Sequence, residues 1–364
     1  MKSIIFNNQE LIKTYNSGIP IYLYGNGTYS KIIEAELSRI GVKSLANIVD
    51  DEHYSKKTEF DNRWASLNNT AVKEVIKKSD LKQFDFEFAV VLAINGKFDS
   101  FDFENCVNTF FVDGMLGDAW AEFNLSWLDD NSEEIGRVKE MFDTESLQVF
   151  NAFINRRLNF TNDTSSFSSK PIYYNDLIDL KKNHTVLDCG AYTGDNLLDF
   201  LEYNRNSTYI CLEPDKKNYN EILNLIKKED LKSVITYNIG VSDKKEVVKF
   251  KSNQGLTSLI TEDGDTEIIV DTIDDIINIP ITILKMDVEG QELPALIGAK
   301  NTIKKNLPIL LISLYHKPSD LFTVPLYINQ ISNQYEFKLL QHYIDPSMGT
   351  PLTDLVLYCL PKNT

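Results

Sequence analysis

The residues able to do chemistry gather in the second half of the chain, at the ends of short apolar runs. Val186-Leu187-Asp188-Cys189 leads into Gly190-Ala191-Tyr192-Thr193-Gly194-Asp195, the pattern of a buried strand passing through a glycine-bearing loop into a helix. Gly190 and Gly194 allow the backbone to approach a ligand closely, and amides at the start of a helix donate to a carboxylate or phosphate. The spacing is DxGxxxG and not GxGxxG, and an acid ahead of the first glycine suits a ligand with an amine better than a pyrophosphate. That favours S-adenosylmethionine over NAD. A second run, Tyr209-Ile210-Cys211-Leu212, ends in Glu213-Pro214, 25 residues after Asp188. A carboxylate so placed accepts hydrogen bonds from vicinal ribose hydroxyls. Ile239-Gly240-Val241-Ser242 follows a third run and puts backbone beside an adenine ring. Lys285-Met286-Asp287-Val288-Glu289-Gly290-Gln291-Glu292 ends a fourth with three acids, and His316-Lys317 ends a fifth.

These ends need an open α/β sheet behind them. Strands are expected at 185–187, 208–212, 233–238, 281–285 and 309–314, with helices at 196–203, 217–226 and 291–303 between them. An alternating, β-rich stretch at 247–250, 257–260 and 267–273 interrupts the series, and 336–340 with 355–360 reads as a closing antiparallel pair. In such a sheet ligands bind in the crevice beyond the carboxyl ends of the strands, so Asp188, Glu213, Gly240, Asp287 and His316 converge on one site.

The first half repeats the pattern on a smaller scale. Ile21–Tyr24, a glycine turn, a helix over 29–40 and a strand over 42–49 make a βαβ unit, and 88–94 and 109–112 read as further parallel strands. Gly25-Asn26-Gly27-Thr28-Tyr29-Ser30 with Asp50 is a dinucleotide-style fingerprint. Apolar residues at helical spacing over 131–157, with a break near Asp143, give a connector, and polar residues 161–169 a linker. The expected organisation is a Rossmann-like α/β domain at 1–113, a helical connector and linker at 114–170, and a doubly wound sheet at 171–364.

Composition narrows the function. The 364 residues are 43% hydrophobic and 25% charged, with a formal net charge of −16. A surface that negative repels phosphate backbones, which disfavours nucleic acid as partner. No apolar run reaches the ~18 to 20 residues of a membrane helix and no secretory signal opens the chain, so a cytoplasmic protein is expected. Cys106, Cys189, Cys211 and Cys359 stand singly on apolar segments and read as buried thiols.

The runs VLDCGAYTGD, LEPD, LKMDVEGQELPALIGAK and LYHKPSDL resemble the successive motifs of the FkbM-type methyltransferases, a branch of the class I S-adenosylmethionine-dependent fold. The resemblance covers residues 171–364, and the stretch with DTESLQVF and RRL is similar to the connector of the family's two-domain members. It implies a class I methyltransferase sheet with an N-terminal Rossmann-like domain, and O-methylation of a hydroxyl, commonly on a sugar of a glycan or glycosylated metabolite. The cofactor set is then Asp188, Gly190, Ala191, Tyr192, Gly194, Asp195, Glu213, Pro214, Gly240 and Asp287. In-line methyl transfer needs alignment and a proton acceptor for the hydroxyl, for which His316 is the first candidate base, with Asp287 beside it. Asp287 with Glu289 and Glu292 could instead offer oxygen ligands to magnesium, although no metal residue is assigned. Gly255-Leu256-Thr257-Ser258 reads as an acceptor-side flap or a plain hairpin turn. The alternative function is a dinucleotide- or sugar-nucleotide-binding protein, or an oxidoreductase, working through the N-terminal domain.

Overall fold

A computed structural model describes residues 4–5, 8–25, 30, 33–34, 37–38, 41–54, 74–92, 103–111, 123–159, 165–251, 259–260, 264, 266–342 and 354–362. The chain divides into two compact units. One comprises Met1–Leu125, Asn151–Ser165 and Tyr343–Thr353, the other Ser126–Phe150, Ser166–His342 and Asp354–Thr364.

In the first unit β1 (Ile4–Ile5), β2 (Ile21–Tyr24), β3 (Ser44–Val49), β4 (Val75–Lys77), β5 (Phe88–Leu92) and β6 (Cys106–Phe111) form one sheet in the order β1-β6-β5-β2-β3-β4. All its pairs are parallel. Phe88–Leu92 is buried at every position, as a strand covered on both faces must be. The order of strands reverses beside β2, which places Gly25, with φ of 130°, at the switch point. Helix Asn8–Asn16, whose Leu11 is buried with Ile12 and Tyr15 packed on the same core, went unread in the sequence. Asn26–Tyr29 of the fingerprint, and Asp113, lie outside the described residues.

The second unit holds β7 (Phe167–Ser168), β8 (Thr185–Cys189), β9 (Thr208–Leu212), β10 (Val234–Tyr237), β11 (Gly240–Val241), β12 (Glu246–Lys251), β13 (Leu259–Ile260), β14 (Thr266–Asp271), β15 (Ile283–Met286), β16 (Ile309–Ser313), β17 (Tyr335–His342) and β18 (Leu355–Pro361). Eight of them make a sheet in the order β10-β9-β8-β15-β16-β18-β17-β7. Strands β10, β9, β8, β15 and β16 run parallel, and β18 is antiparallel to both β16 and β17. This is the class I methyltransferase arrangement, and its strand order reverses at β8, the strand that carries Asp188. The closing pair stands where the alternation put it. All four cysteines are buried free thiols.

Several boundaries differ from the sequence reading, each for a tertiary reason. Gly240 does not end the third strand of the main sheet; it opens β11 in a separate sheet of order β11-β14-β12-β13. The helix expected over 291–303 is two, Glu292–Ile297 and Lys300–Asn306. It breaks at Gly298, where a Cβ would lie 2.0 Å from the Ser242 carbonyl oxygen. Asp274 restarts it by accepting from the Asn301 and Thr302 amides at 3.0 and 2.7 Å. The last expected strand of the alternating stretch stops at Asp271, because the Thr272 hydroxyl caps helix Ile273–Ile276. Within the expected linker, Phe167–Ser168 is a strand that pairs with β17. The break near Asp143 is present, the Asp143 carboxylate accepting from the Ser146 amide at 2.8 Å at the start of helix Thr144–Asn159. Helix Asp320–Ile331, with Pro325 inside it, was not read. Among the described residues no helix is long and apolar enough to cross a membrane.

Candidate active site

The loop after β8 is fixed from below. Asp188 is fully buried, and its oxygens meet Lys285 Nζ at 2.9 Å and the Tyr209 hydroxyl, which donates at 2.8 Å. Burial opposes the Lys285 charge, but Asp188 and Asp287 hold that ammonium above its ordinary range. Lys285 Nζ also donates to the Gly190 carbonyl at 2.8 Å. Asp188 therefore anchors the loop through Lys285, with no open face toward a ligand. Lysine at position 285, whose side-chain direction strand alternation left open, is what the buried carboxylate requires.

Above that pair the loop lies against its neighbours. The Gly190 and Ala191 amides donate to the Leu212 carbonyl at 3.0 and 3.2 Å. Gly190 has φ of 79°, and a Cβ there would stand 1.9 Å from the Asp287 carbonyl oxygen, so only glycine fits between β8 and the end of β15. Gly194, with φ of 89°, is the residue before helix Asp195–Tyr203. Tyr192 takes φ of 49° without being glycine, a conformation the surrounding structure must hold in place. Ala191 is buried, Tyr192 partly exposed and Asp195 exposed.

Glu213 joins the first two strand ends. Only 5% exposed, it accepts from the Tyr192 amide at 2.9 Å and from the Asp215 amide at 2.9 Å. Burial pushes its carboxyl up to about 7 despite those two amides. Gly240 sits beside the same corner, where a Cβ would lie 3.6 Å from Pro214 Cβ.

The ends of β15 and β16 carry a second cluster. Asp287 Oδ2 accepts from the Tyr173 hydroxyl at 2.9 Å, and Oδ1 from the Tyr315 hydroxyl at 3.2 Å. Tyr173 also meets Ser313 Oγ at 2.9 Å. His316 Nε2 is 3.5 Å from Asp287 Oδ1 and 3.5 Å from Glu289 Oε2, while Nδ1 is 2.9 Å from Glu292 Oε1. Burial disfavours a charged imidazole, yet the carboxylates of Glu292, Asp287 and Glu289 raise His316 to about 10. Asp287 is lowered in spite of its burial, chiefly by Lys285 and His316. Burial raises Glu289 to about 8, and the residue holds φ of 55°. A ring charged at neutral pH must pass its proton to one of these carboxylates before it can accept another.

The structure thus brings Asp188, Gly190, Tyr192, Glu213, Pro214, Gly240, Asp287 and His316 onto adjoining strand ends. Two contributors were missed. Tyr315 was hidden beside His316, and Tyr173 lies between β7 and β8, in a Tyr-Tyr pair whose only signal was its place after Pro171. Lys317 does not face the crevice freely, because its ammonium donates to the Gly290 carbonyl. In the first unit Gly25 donates to the Ile48 carbonyl at 2.8 Å, and the rest of the fingerprint loop up to Ser30 is outside the described residues. So is the flap of Gly255–Ser258.

Comparison with known proteins places these motifs. Residues 188–339 match the family described as Methyltransferase FkbM domain. The crystal structure of Methyltransferase FkbM from Methylobacillus flagellatus aligns over 98% of this chain and 94% of its own, with a TM-score of 0.67 and 21% identity, a likeness of fold in both units. Slighter likenesses include a methyltransferase from Geobacter sulfurreducens, at 13% identity and TM-score 0.32 over 50% of this chain and 74% of that one. Another is Aeropyrum pernix fibrillarin in complex with S-adenosyl-L-methionine, at 12% identity and TM-score 0.33 over 50% and 69%. No curated protein matches the sequence significantly. Residues 188–339 thus carry the match to the FkbM methyltransferase domain, and over the rest of the chain the likeness is one of fold.

Proposed function

We propose that the protein is an S-adenosylmethionine-dependent O-methyltransferase whose acceptor is a hydroxyl of a carbohydrate or of a glycosylated small molecule. The observation that carries the reading is the continuity of the strand ends. Glu213 is bonded to the loop amide of Tyr192, Gly190 of that loop packs on Asp287, and Asp287 faces His316. One crevice rim therefore offers a ribose-binding carboxylate at one end and a proton-accepting cluster at the other.

Within it Glu213 takes the ribose hydroxyls, the Gly190–Gly194 loop follows the methionine portion, and Gly240 with Pro214 borders the adenine. The acceptor oxygen attacks the sulfonium methyl in line. Bound S-adenosylmethionine would supply the methyl group, the C–O bond forming as the C–S bond breaks and the electron pair staying on sulfur to give S-adenosylhomocysteine, while the ionised Asp287 carboxylate beside the charged His316 ring takes the hydroxyl proton. A sugar fits an acid-lined crevice, because carboxylates accept hydrogen bonds from several hydroxyls at once.

The test is a calorimetric titration of the full chain with S-adenosylhomocysteine and separately with NAD, on wild type and Glu213→Ala. Saturable S-adenosylhomocysteine binding that is lost with Glu213 is the expected result. Binding of NAD alone would overturn the reading in favour of the N-terminal domain.

A further inference from the structure

We propose that Asp287, Glu292 and one ring nitrogen of His316, with Glu289 beside them, bind a divalent cation of the manganese kind. Donor atoms of Asp287, Glu292 and His316 all lie within 4.8 Å of one another. Ligands held at ~2.1 Å by one ion stand roughly 3 to 4 Å apart, so the cluster needs to close by about 1 Å around one.

Acidic clusters are common, and what sets this one apart is its orphaned atoms. Glu292 has no exposed side-chain surface, yet its Oε2 has no hydrogen-bond partner. The His316 side chain is 9% exposed, and neither ring nitrogen has a hydrogen-bond partner. Nδ1 is in ion-pair contact with Glu292 Oε1 at 2.9 Å, and that oxygen already accepts from the Val288 amide at 2.9 Å. Nε2 is 3.5 Å from both Asp287 and Glu289, too far for hydrogen bonds and close to the separation of two ligands on one ion. Buried polar atoms are almost always paired, and a single cation accounts for Glu292 Oε2 and one ring nitrogen together.

The charges agree. Three carboxylates surround one imidazole, a fourth, Asp320, accepts from the Lys317 amide nearby at 3.1 Å, and the two lysines are spoken for. Lys285 pairs with Asp188, and Lys317 donates to the Gly290 carbonyl. Carboxylate oxygens with one imidazole suit Mn²⁺ better than magnesium, which prefers oxygen and water throughout. The role of the ion, though not its binding, rests on the methyltransferase reading. There it would hold the acceptor oxygen and ease loss of its proton.

The experiment titrates the full chain with MnCl₂ in the absence of cofactor, following free Mn²⁺ by electron paramagnetic resonance. Circular dichroism and thermal melts are recorded on wild type, Glu292→Gln and His316→Gln. One saturable Mn²⁺ per chain is expected, weakened about 10- to 100-fold in whichever variants stay folded. No saturation at millimolar Mn²⁺, as when the charged ring is itself the only cation, or unchanged affinity in a folded variant overturns the proposal. A parallel S-adenosylhomocysteine titration separates the two readings. Cofactor binding without Mn²⁺ binding sinks the cation alone, and the reverse sinks the methyltransferase reading alone.

Discussion

S-Adenosylhomocysteine should bind about tenfold more weakly at pH 6 than at pH 8, and the reason is Glu213. Its burial pushes the carboxyl up to about 7 in the free protein, against the pull of the Asp215 and Tyr192 amides. Two vicinal ribose hydroxyls need both carboxylate oxygens as acceptors, an arrangement that protonation of one oxygen removes, so the binding-competent fraction is roughly one in ten at pH 6 and nine in ten at pH 8. The ligand's own groups do not titrate in that interval. Calorimetry in two buffers of different ionisation enthalpy supplies an independent number: binding at pH 6 should release close to one proton, and at pH 8 almost none. The same group acts on stability with the opposite sense. Its folded pKa lies above the unfolded carboxyl value, so the folded state keeps a proton that the unfolded chain has shed, and stability falls as pH rises from about 4.5 to about 7. Glu213→Gln should bind weakly at every pH and release no proton. A flat wild-type profile, or the same slope in Glu213→Gln, would remove the ribose assignment.

Further outcomes follow from the contacts around the loop. Lys285→Met strands the fully buried Asp188 carboxylate and should cost about 3 to 5 kcal/mol in urea unfolding, most of it restored by adding Asp188→Leu; a loss below about 1 kcal/mol would mean the pair is not what holds the loop. Tyr173→Phe removes a hydrogen bond from Asp287 and should lower turnover by up to about tenfold at unchanged S-adenosylhomocysteine affinity, so an affinity loss of the same size would place Tyr173 in cofactor binding. Gly190→Ala, driven against the Asp287 carbonyl, should weaken cofactor binding, whereas Gly136→Ala, in helix Ser132–Lys139 with nothing within 4 Å of its added methyl, should raise stability by about 0.5 to 1 kcal/mol. Equal effects from the two substitutions, read by calorimetry and thermal melts, would contradict the packing described at Gly190.

The sequence disclosed what is local and withheld what is paired across the sheet. Continuous apolar runs ending in Asp188, Glu213 and Asp287 made the parallel strands and their loaded ends readable, because buried strands must be apolar throughout and must stop at polar residues. Spacing could not show that Asp188 faces inward. That depends on Lys285, 97 residues later, arriving opposite it in register. Nor could periodicity find the break at Gly298, where partners distant in sequence meet the chain: the Ser242 carbonyl, 2.0 Å from where a Cβ would stand, and the Asp274 carboxylate on the Asn301 and Thr302 amides. Gly240 was placed on the right corner and in the wrong sheet for a similar reason. Its neighbours in β14 are set by the alternating insertion, which the main-sheet pattern does not encode.

The arrangement also explains why an acid at the start of the loop need not touch a ligand to matter for one. Asp188 holds Lys285, Lys285 holds the Gly190 carbonyl, and Gly190, lacking a side chain, rests on the Asp287 backbone. The loop after β8 and the acid cluster are thus tied by two contacts. Reaction in line demands that donor and acceptor be placed together within fractions of an ångström, and a buried ion pair beneath both meets that demand more rigidly than side chains reaching in from solvent. The cost is a charge pair taken out of water, which a hydrophobic pair of equal volume would not incur. Such a cost is understandable where the pair fixes the geometry of a site, Lys285 holding the Gly190 carbonyl and Asp188 the Tyr209 hydroxyl.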